Sequence, residues 1–491
     1  MTVAGPHRLP QHNPRTPLED LEFTLLGSVV GPADPHWDKA RAAWNLTADQ
    51  QPAAVVFTVD AADVSATVRY ATALGLNVLA QSTGHLATAV GDLAGTVLIR
   101  TARMRSVRVD AEKQTMRVEA GATWGVATAA LEGTGLAALA GSSGEVGIVG
   151  YTLGGGYSWL SRSRGLAASS VTAIELVLAD GNLLRATAEE HAELFWAVRG
   201  GGGNFGIVTA LEFRVYPVSE VSAGMLLFPL EQTRSVLEEY ARWTEDLDER
   251  ATTCFRILHF PRLPDLPDFL RGQSFVGVDG AIDAPEDVAQ RLLAPLRALE
   301  PSIDTFTRIP ATALAGLHLD PSDPVPVIGD GMILDSLTPE VVDALLGSAA
   351  GMDPSALLIV DLRHLGGALG RPAGGGAVDH LPGRFLLYAA GIAPSPQAAA
   401  AVITAITSVR LALAPWASSI DYSNFREVRE APERFWAPDV LERLRAVKKS
   451  VDPRGIIRSA HTLEPRTSTS SRALSADAAP DDLAHRIPAE R

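Results

Sequence analysis

Apolar and polar positions along the first half of the chain alternate between short buried runs and punctuating turns. Ala53–Val59 is an apolar, β-branched run, the pattern of a buried strand. Asp60 follows as a helix cap, apolar spacing continues through Tyr70 and Leu74, and Gly75 ends the helix. Asn77–Ala80 reads as a second strand. The order strand, helix, strand delivers the chain into the loop Gln81-Ser82-Thr83-Gly84-His85. Strands at Thr96–Arg100 and Thr115–Ala120 come next, then a helix near Trp124–Glu132 closed by Gly133 and Gly135. The glycine-rich stretch Gly141–Gly156 is expected to lead into a helix that runs to Arg164 and ends at Gly165. Val171–Ala179 and Leu183–Ala186 flank Asp180-Gly181, a hairpin signal. A helix over Glu190–Val198 then enters Arg199-Gly-Gly-Gly-Gly-Asn-Phe-Gly206, and a strand Ile207–Tyr216 leaves it.

The texture changes after Pro217. Longer amphipathic patterns at Gln232–Leu247, Pro285–Leu299 and Pro339–Leu346 predict helices, with strand-like runs such as Gly224–Pro229 and Arg384–Ala389 between them. Asp320–Asp330 and Gly366–Gly376 read as loops. Helical spacing returns over Asp439–Ser450, and Asp452-Pro453 stops it. The fold class is therefore α+β, in two lobes, the second an antiparallel sheet covered by helices. The predicted division is a flexible N-terminus (1–20), a first domain (21–216), a second, substrate-facing domain (217–420), a return of the chain to the first domain (421–465) and a disordered tail (466–491). No internal repeat is visible.

A chain of 491 residues is too long for one ordinary domain, and 46% hydrophobic against 20% charged residues supports a large core. The net charge of -15 disfavours nucleic acid and anionic membrane as partners. The single cysteine, Cys254, excludes an intramolecular disulfide and a cysteine metal site, and Thr-Thr-Cys254-Phe-Arg-Ile reads as core strand. The histidines lack paired metal-ligand spacing, so no metal is predicted. Met1–Asp20 shows no secretory signal, and no uninterrupted apolar stretch approaches the roughly 20 residues of a membrane span. The expectation is a cytosolic protein, monomeric or homodimeric.

The glycine loops narrow the chemistry. Gly201, Gly203 and Gly206 satisfy G-x-G-x-x-G, but a dinucleotide fingerprint needs a strand before it and a helix after, and here the order is reversed. No glycine loop is followed by G-K-[ST], and G-x-S-x-G is absent, which removes the P-loop and the hydrolase elbow. Any one of the three loops alone reads as a tight turn. Together, at strand and helix ends in one half of the chain, they offer bare backbone to a phosphate or a flat ring, so a large cofactor and a set of turns stand level.

Taken in order, these motifs resemble those of the berberine-bridge-enzyme-like oxidases, within the wider vanillyl-alcohol-oxidase and p-cresol-methylhydroxylase type of FAD-binding fold. The resemblance runs from Trp44-Asn45 to about Leu463. It takes in the Gln81–His85 loop, Gly141–Gly156, the Ala179-Asp-Gly181 hairpin, Leu194–Thr209, Tyr422-Ser-Asn-Phe425 and Leu444–Pro453. It implies FAD bonded through its 8α-methyl group to His85. Many relatives carry a second link to a cysteine. Ser143 stands in that place, which implies a monocovalent flavin. Gln81, Ser82, Thr83, Gly84 and Leu86 around His85, then Val146, Gly147, Gly150, Tyr151 and Gly154, then Gly206, Ile207 and Val208 are implied to wrap the cofactor. Tyr422 is the implied base, with Asn424 beside it as a flavin contact. A phenol near pKa 10 needs neighbours to lower it, and Arg426 is a candidate. Packing at the lobe interface, with its hydroxyl bonded to backbone, is the alternative for Tyr422. Tyr388 is a second candidate base, although Phe385, Leu387 and Ala389 around it suggest ordinary sheet packing. The implied activity is hydride abstraction from a small organic substrate, a natural-product intermediate, with O2 as electron acceptor and hydrogen peroxide as product. The alternatives are a dehydrogenase with another acceptor and a flavin-bearing cyclase or binding protein.

Overall fold

The computed structural model describes residues 17–464 except 261, 263–267, 269 and 350–355. The tail expected from residue 466 lies outside the described residues. At the other end, a helix already occupies Pro17–Thr24, so the last residues of the predicted loose N-terminus are helical.

Three sheets organise the chain. The first joins β1 (Ser28–Val30), β2 (Ala54–Phe57), β3 (Asn77–Gln81) and β4 (Thr96–Arg100) in the order β1-β2-β4-β3, with β2, β4 and β3 parallel. The crossover between β2 and β3 is the helix Ala61–Ala73, whose N-terminus is capped by Asp60 accepting from the Asp63 N–H at 2.9 Å. Parallel strands buried on both faces need continuous apolar runs, and Val55, Val56, Val97, Leu98 and Ile99 are all fully buried. The second sheet is antiparallel: β5 (Val107–Asp110), β6 (Thr115–Glu119), β7 (Val171–Val177), β8 (Leu183–Ala186) and β9 (Ile207–Arg214), in the order β5-β6-β9-β7-β8.

The third sheet holds β10 (Glu220–Pro229), β11 (Ala251–His259), β12 (Ser274–Ile282), β13 (Ile303–Asp304), β14 (Thr307–Pro310), β15 (Val327–Leu334), β16 (Ile359–His364) and β17 (Phe385–Ile392). Its order is β13-β10-β12-β11-β16-β17-β15, with β14 also paired to β10. Side chains alternate across a strand, so this sheet has two distinct faces. Phe255, Val276, Val278, Leu362, Phe385 and Leu387 pack with Val236, Leu237, Tyr240, Val402 and Ile406 of the covering helices. The opposite face carries Arg256, Asp279, Asp361, Arg363 and Tyr388, in register with one another: Arg256 pairs with Asp361, and Asp361 with Tyr388.

The structure departs from the sequence reading in further places. The helix expected after the glycine stretch lies inside it, at Ile148–Leu153, and only one turn, Ser161–Arg164, forms near its predicted end. Gly147 and Gly154 flank the short helix, while Ile148, Val149 and Leu153 bury themselves in the core, so packing overrides the poor propensity. The segment read as a loop to Asp330 becomes β15 from Val327. β12, β16 and the helix Pro396–Leu413 had no counterpart among the predicted elements. Pro396–Trp416 is also long and apolar enough to cross a membrane by composition, yet Val402, Ile406, Val409 and Leu413 pack on the third sheet as core.

The C-terminal segment returns to the first two sheets. Leu441, Leu444 and Val447 of the helix Pro438–Val451 share a core with Phe195 and Phe205, and Ile456 and Arg458 hydrogen-bond to Val78 of β3 at 2.9 Å.

Candidate functional site

A cavity of about 470 Å³ opens between the polar face of the third sheet and the glycine loops of the other two. Every residue implied as a cofactor contact stands on its walls.

β3 ends at Gln81, and the chain turns at Gly84, whose φ of 93° belongs to the left-handed region. A Cβ there would come within 2.8 Å of Gln81 Nε2 and of Ala43 Cβ, so the turn admits only glycine. It presents His85 to the cavity, with Ser82, Thr83 and Leu86 beside it. The His85 ring stacks on Trp44, centroids 4.0 Å apart and planes 14° apart, and its Nδ1 lies 2.8 Å from Thr83 Oγ1. Burial lowers its pKa to about 4, so the imidazole is neutral at neutral pH.

Ser143, Val146, Gly147, Gly150, Tyr151 and Gly154 form the second wall. At Gly150 a Cβ would meet nothing within 4 Å; the helix shows the cavity a bare stretch of backbone. Gly206, Ile207 and Val208, at the start of β9, supply the third wall. Arg199 is not among the cavity residues; its guanidinium sits 4.0 Å from the Phe195 ring centroid. Cys254 is buried in β11 and also stands apart from the cavity.

Tyr422 closes the cavity between the lobes. Its phenol oxygen accepts three hydrogen bonds, from Gly156 N–H at 2.9 Å, Tyr157 N–H at 3.0 Å and Asn424 Nδ2 at 2.9 Å. Burial pushes the phenol up to about 12, and the three donors pull the other way by favouring the phenolate. Arg426 is not one of its partners: that guanidinium is held by Asp330, Asp421 and Glu430. Asn424 also donates to Tyr151 O at 2.9 Å, and a Cβ on Gly154 would fall 1.9 Å from its Oδ1. Tyr422, Asn424 and the glycine wall thus form one hydrogen-bonded unit.

Beside Tyr388, the second candidate base of the sequence reading, the cavity holds two groups that went unread in the sequence, Glu427 and Arg363. Tyr388 faces the cavity, opposite to its neighbours Phe385, Leu387 and Ala389, which pack under the helices. Its hydroxyl donates to Glu427 Oε1 at 2.6 Å, and Glu427 Oε2 accepts from Gly329 N–H at 3.1 Å. Glu427, half-buried in the cavity wall, has its pKa pushed up to about 8 by desolvation. Arg363, on the adjacent strand, holds its guanidinium 4.7 Å from the Phe425 ring centroid. The signal for Arg363 was the alternation Asp361-Leu362-Arg363 within the strand Ile359–His364, whereas Glu427 lies outside any strand and carried none.

The walls suit a flavin nucleotide. Gln81 Nε2 and Ser82 Oγ are buried donors with no protein partner, and Gly150 leaves room for a flat ring. Residues 52–187 match the FAD binding domain family. The FAD-linked oxidoreductase YgaK of Bacillus subtilis, itself uncharacterised, is 27% identical over 90% of this chain and 97% of its own length. (R)-6-hydroxynicotine oxidase of Paenarthrobacter nicotinovorans is 30% identical over 56% of this chain and 59% of its own. Among solved structures, berberine bridge enzyme from Eschscholzia californica superposes with a TM-score of 0.77 at 19% identity, covering 92% of this chain and 99% of that one. These likenesses, with the glycine-walled cavity, make the chain an FAD-dependent oxidoreductase built on the berberine-bridge-enzyme fold.

Proposed function

We propose that the chain is an oxidase that carries FAD on a single covalent bond to His85 and oxidises a small organic substrate, a natural-product intermediate, with O2 as the terminal acceptor. The observation that supports this most is His85 itself. It is a neutral imidazole fixed by Trp44 and Thr83 on the wall of a cavity that the glycine loops also line. A neutral ring is the nucleophilic form, as attachment to the flavin methyl group requires. Ser143, at the expected place of a second link, offers a hydroxyl in place of a thiolate. FAD, when bound, supplies the two-electron acceptor.

The chain's own residues then deal with the proton that the substrate loses. In the first reading Tyr422 accepts it as the phenolate, its own proton having first passed to solvent, and the three donors that converge on its oxygen stabilise that anion against the burial that favours the phenol. A second reading rests on the 2.6 Å hydrogen bond between Tyr388 and Glu427. There the phenol receives the proton from the substrate and passes its own to a carboxylate whose pKa, about 8, lies close to working pH.

The test is a denaturing gel of purified protein viewed for flavin fluorescence after acid treatment, beside His85→Ala. Fluorescence on the wild-type band and none on the variant is the expected result. A dark wild-type band with FAD released into the supernatant overturns the covalent link. Stopped-flow reoxidation in air-saturated buffer separates oxidase from dehydrogenase, and slow reoxidation would sink the oxidase.

A further inference from the structure

Arg363 is a cation held nine-tenths out of solvent with too few partners. It is 6% exposed, and among the described residues only one of its five N–H donors meets a protein acceptor: Nη2 reaches Asp361 Oδ2 at 3.3 Å. That carboxylate is already engaged by Arg256 Nε at 2.8 Å, and Arg256 also meets Asp279 at 3.3 Å. Arg363 Nε is buried and unpaired. So is the hydroxyl of Tyr157, which is 3% exposed; the Arg363 guanidinium lies 5.7 Å from its ring centroid. Both residues line the cavity. Burying a guanidinium and a phenol without acceptors is unfavourable, more so for the charged group, unless something that enters the cavity completes them.

We propose that Arg363 and Tyr157 form the subsite that binds a carboxylate of the substrate. A guanidinium presents a planar fork that matches two carboxylate oxygens, and a phenol adds a third donor, so this pair selects an anion over a neutral carbonyl. The position suits the chemistry. The Phe425 ring touches the Arg363 guanidinium on one side and stands 5.0 Å from Tyr388 and 5.5 Å from Tyr422, centroid to centroid. A carboxylate anchored at Arg363 therefore leaves the rest of an aromatic-sized substrate beside both candidate proton acceptors. This assignment names the substrate class for the flavin site and rests on that reading.

Benzoate and benzamide, identical in shape and differing in charge, are the probes. Each is titrated by calorimetry into the protein as purified and into Arg363→Gln, Arg363→Lys and Tyr157→Phe. Benzoate is expected to bind the wild type at least tenfold more tightly than benzamide. Its affinity should fall at least tenfold in Arg363→Gln, less in Arg363→Lys and about threefold in Tyr157→Phe. Equal binding of the two probes, or benzoate binding unchanged in Arg363→Gln, overturns the subsite. Visible flavin absorbance of the same samples separates the two readings. A colourless protein that still prefers benzoate through Arg363 refutes the flavin function and leaves the carboxylate site standing. Arg363→Lys, which keeps the charge beside Asp361, guards against a folding artefact through its melting temperature.

Discussion

Replacing Tyr422 with Phe removes one hydroxyl and keeps the ring, and the structure says what that oxygen holds. It is the acceptor for the N–H groups of Gly156 and Tyr157 and for the Asn424 amide. Asn424 keeps its bond to Tyr151 O, so two backbone donors are orphaned in a buried place. An unmade hydrogen bond of that kind costs about 1–3 kcal/mol, or about 2–6 kcal/mol for both. Water entering from the cavity offsets part, which puts the local loss at about 2–4 kcal/mol. The Gly156 and Tyr157 amides should then exchange hydrogen about 30-fold faster or more, since each 1.36 kcal/mol is a factor of ten. If Tyr422 is also the base, turnover falls by a further 10²–10⁴, in the ordinary range for a lost general base. Exchange read by mass spectrometry and a pH profile of kcat together separate the roles. Faster exchange with an unchanged pH profile makes Tyr422 a positioning residue. Unchanged exchange and unchanged turnover would refute the account of the triple hydrogen bond itself.

Glu427→Gln tests the second proton acceptor: a limb of kcat that rises with pH near 8 should disappear in the variant, and a limb that persists removes Glu427 from the pathway. The stability sign is separate. A carboxyl held at about 8 in the fold, against 4.5 for an ordinary glutamate, binds its proton more tightly when folded, so it favours the fold at low pH and that contribution fades as pH climbs from 4.5 to 8. Thermal melts should accordingly show Glu427→Gln gaining on the wild type across that window. Gly154→Ala drives a Cβ to 1.9 Å from Asn424 Oδ1 and should lower both FAD content and melting temperature, whereas Gly150→Ala meets open space and should lower only FAD content. Absorbance at the flavin band per mole of protein measures both. Cys254, buried with its thiol pKa pushed well up, should resist aromatic disulfide reagents in the native protein and react once denatured.

The cofactor side of the site was legible because its determinants are local. The Ala53–Val59 run, the Asp60 cap and the Gly84 turn each act within a few residues, and together they aim His85. The short helix Ile148–Leu153 was not legible, because its stability comes from Ile148, Val149 and Leu153 meeting a core assembled from distant strands. The same holds more strongly in the second lobe. Arg256 and Asp361 are 105 residues apart in sequence, and a charged residue in a strand reads as solvent-facing until its partner is known. Tyr388 was misjudged for a related reason. Its neighbours Leu387 and Ala389 do pack in the core, and alternation then sends Tyr388 the other way, into the cavity.

That alternation also explains why so much charge is kept inside the protein. The helix-covered face of the third sheet already supplies a continuous aliphatic and aromatic core, so stability does not call for ion pairs on the other face. Buried pairs such as Arg256–Asp279 and Arg256–Asp361 add little stability over apolar side chains of similar volume, because desolvation of the charges offsets their attraction. Their effect is geometric. Arg256 fixes Asp361, Asp361 takes one donor of Arg363, and the rest of the Arg363 guanidinium is left to the cavity beside Tyr388 on the next strand. A flexible surface arginine could carry the same charge, but not at a fixed distance from Phe425 and the two tyrosines. One face of the sheet therefore holds the lobe together, and the other holds the chemistry in register against the FAD-binding half.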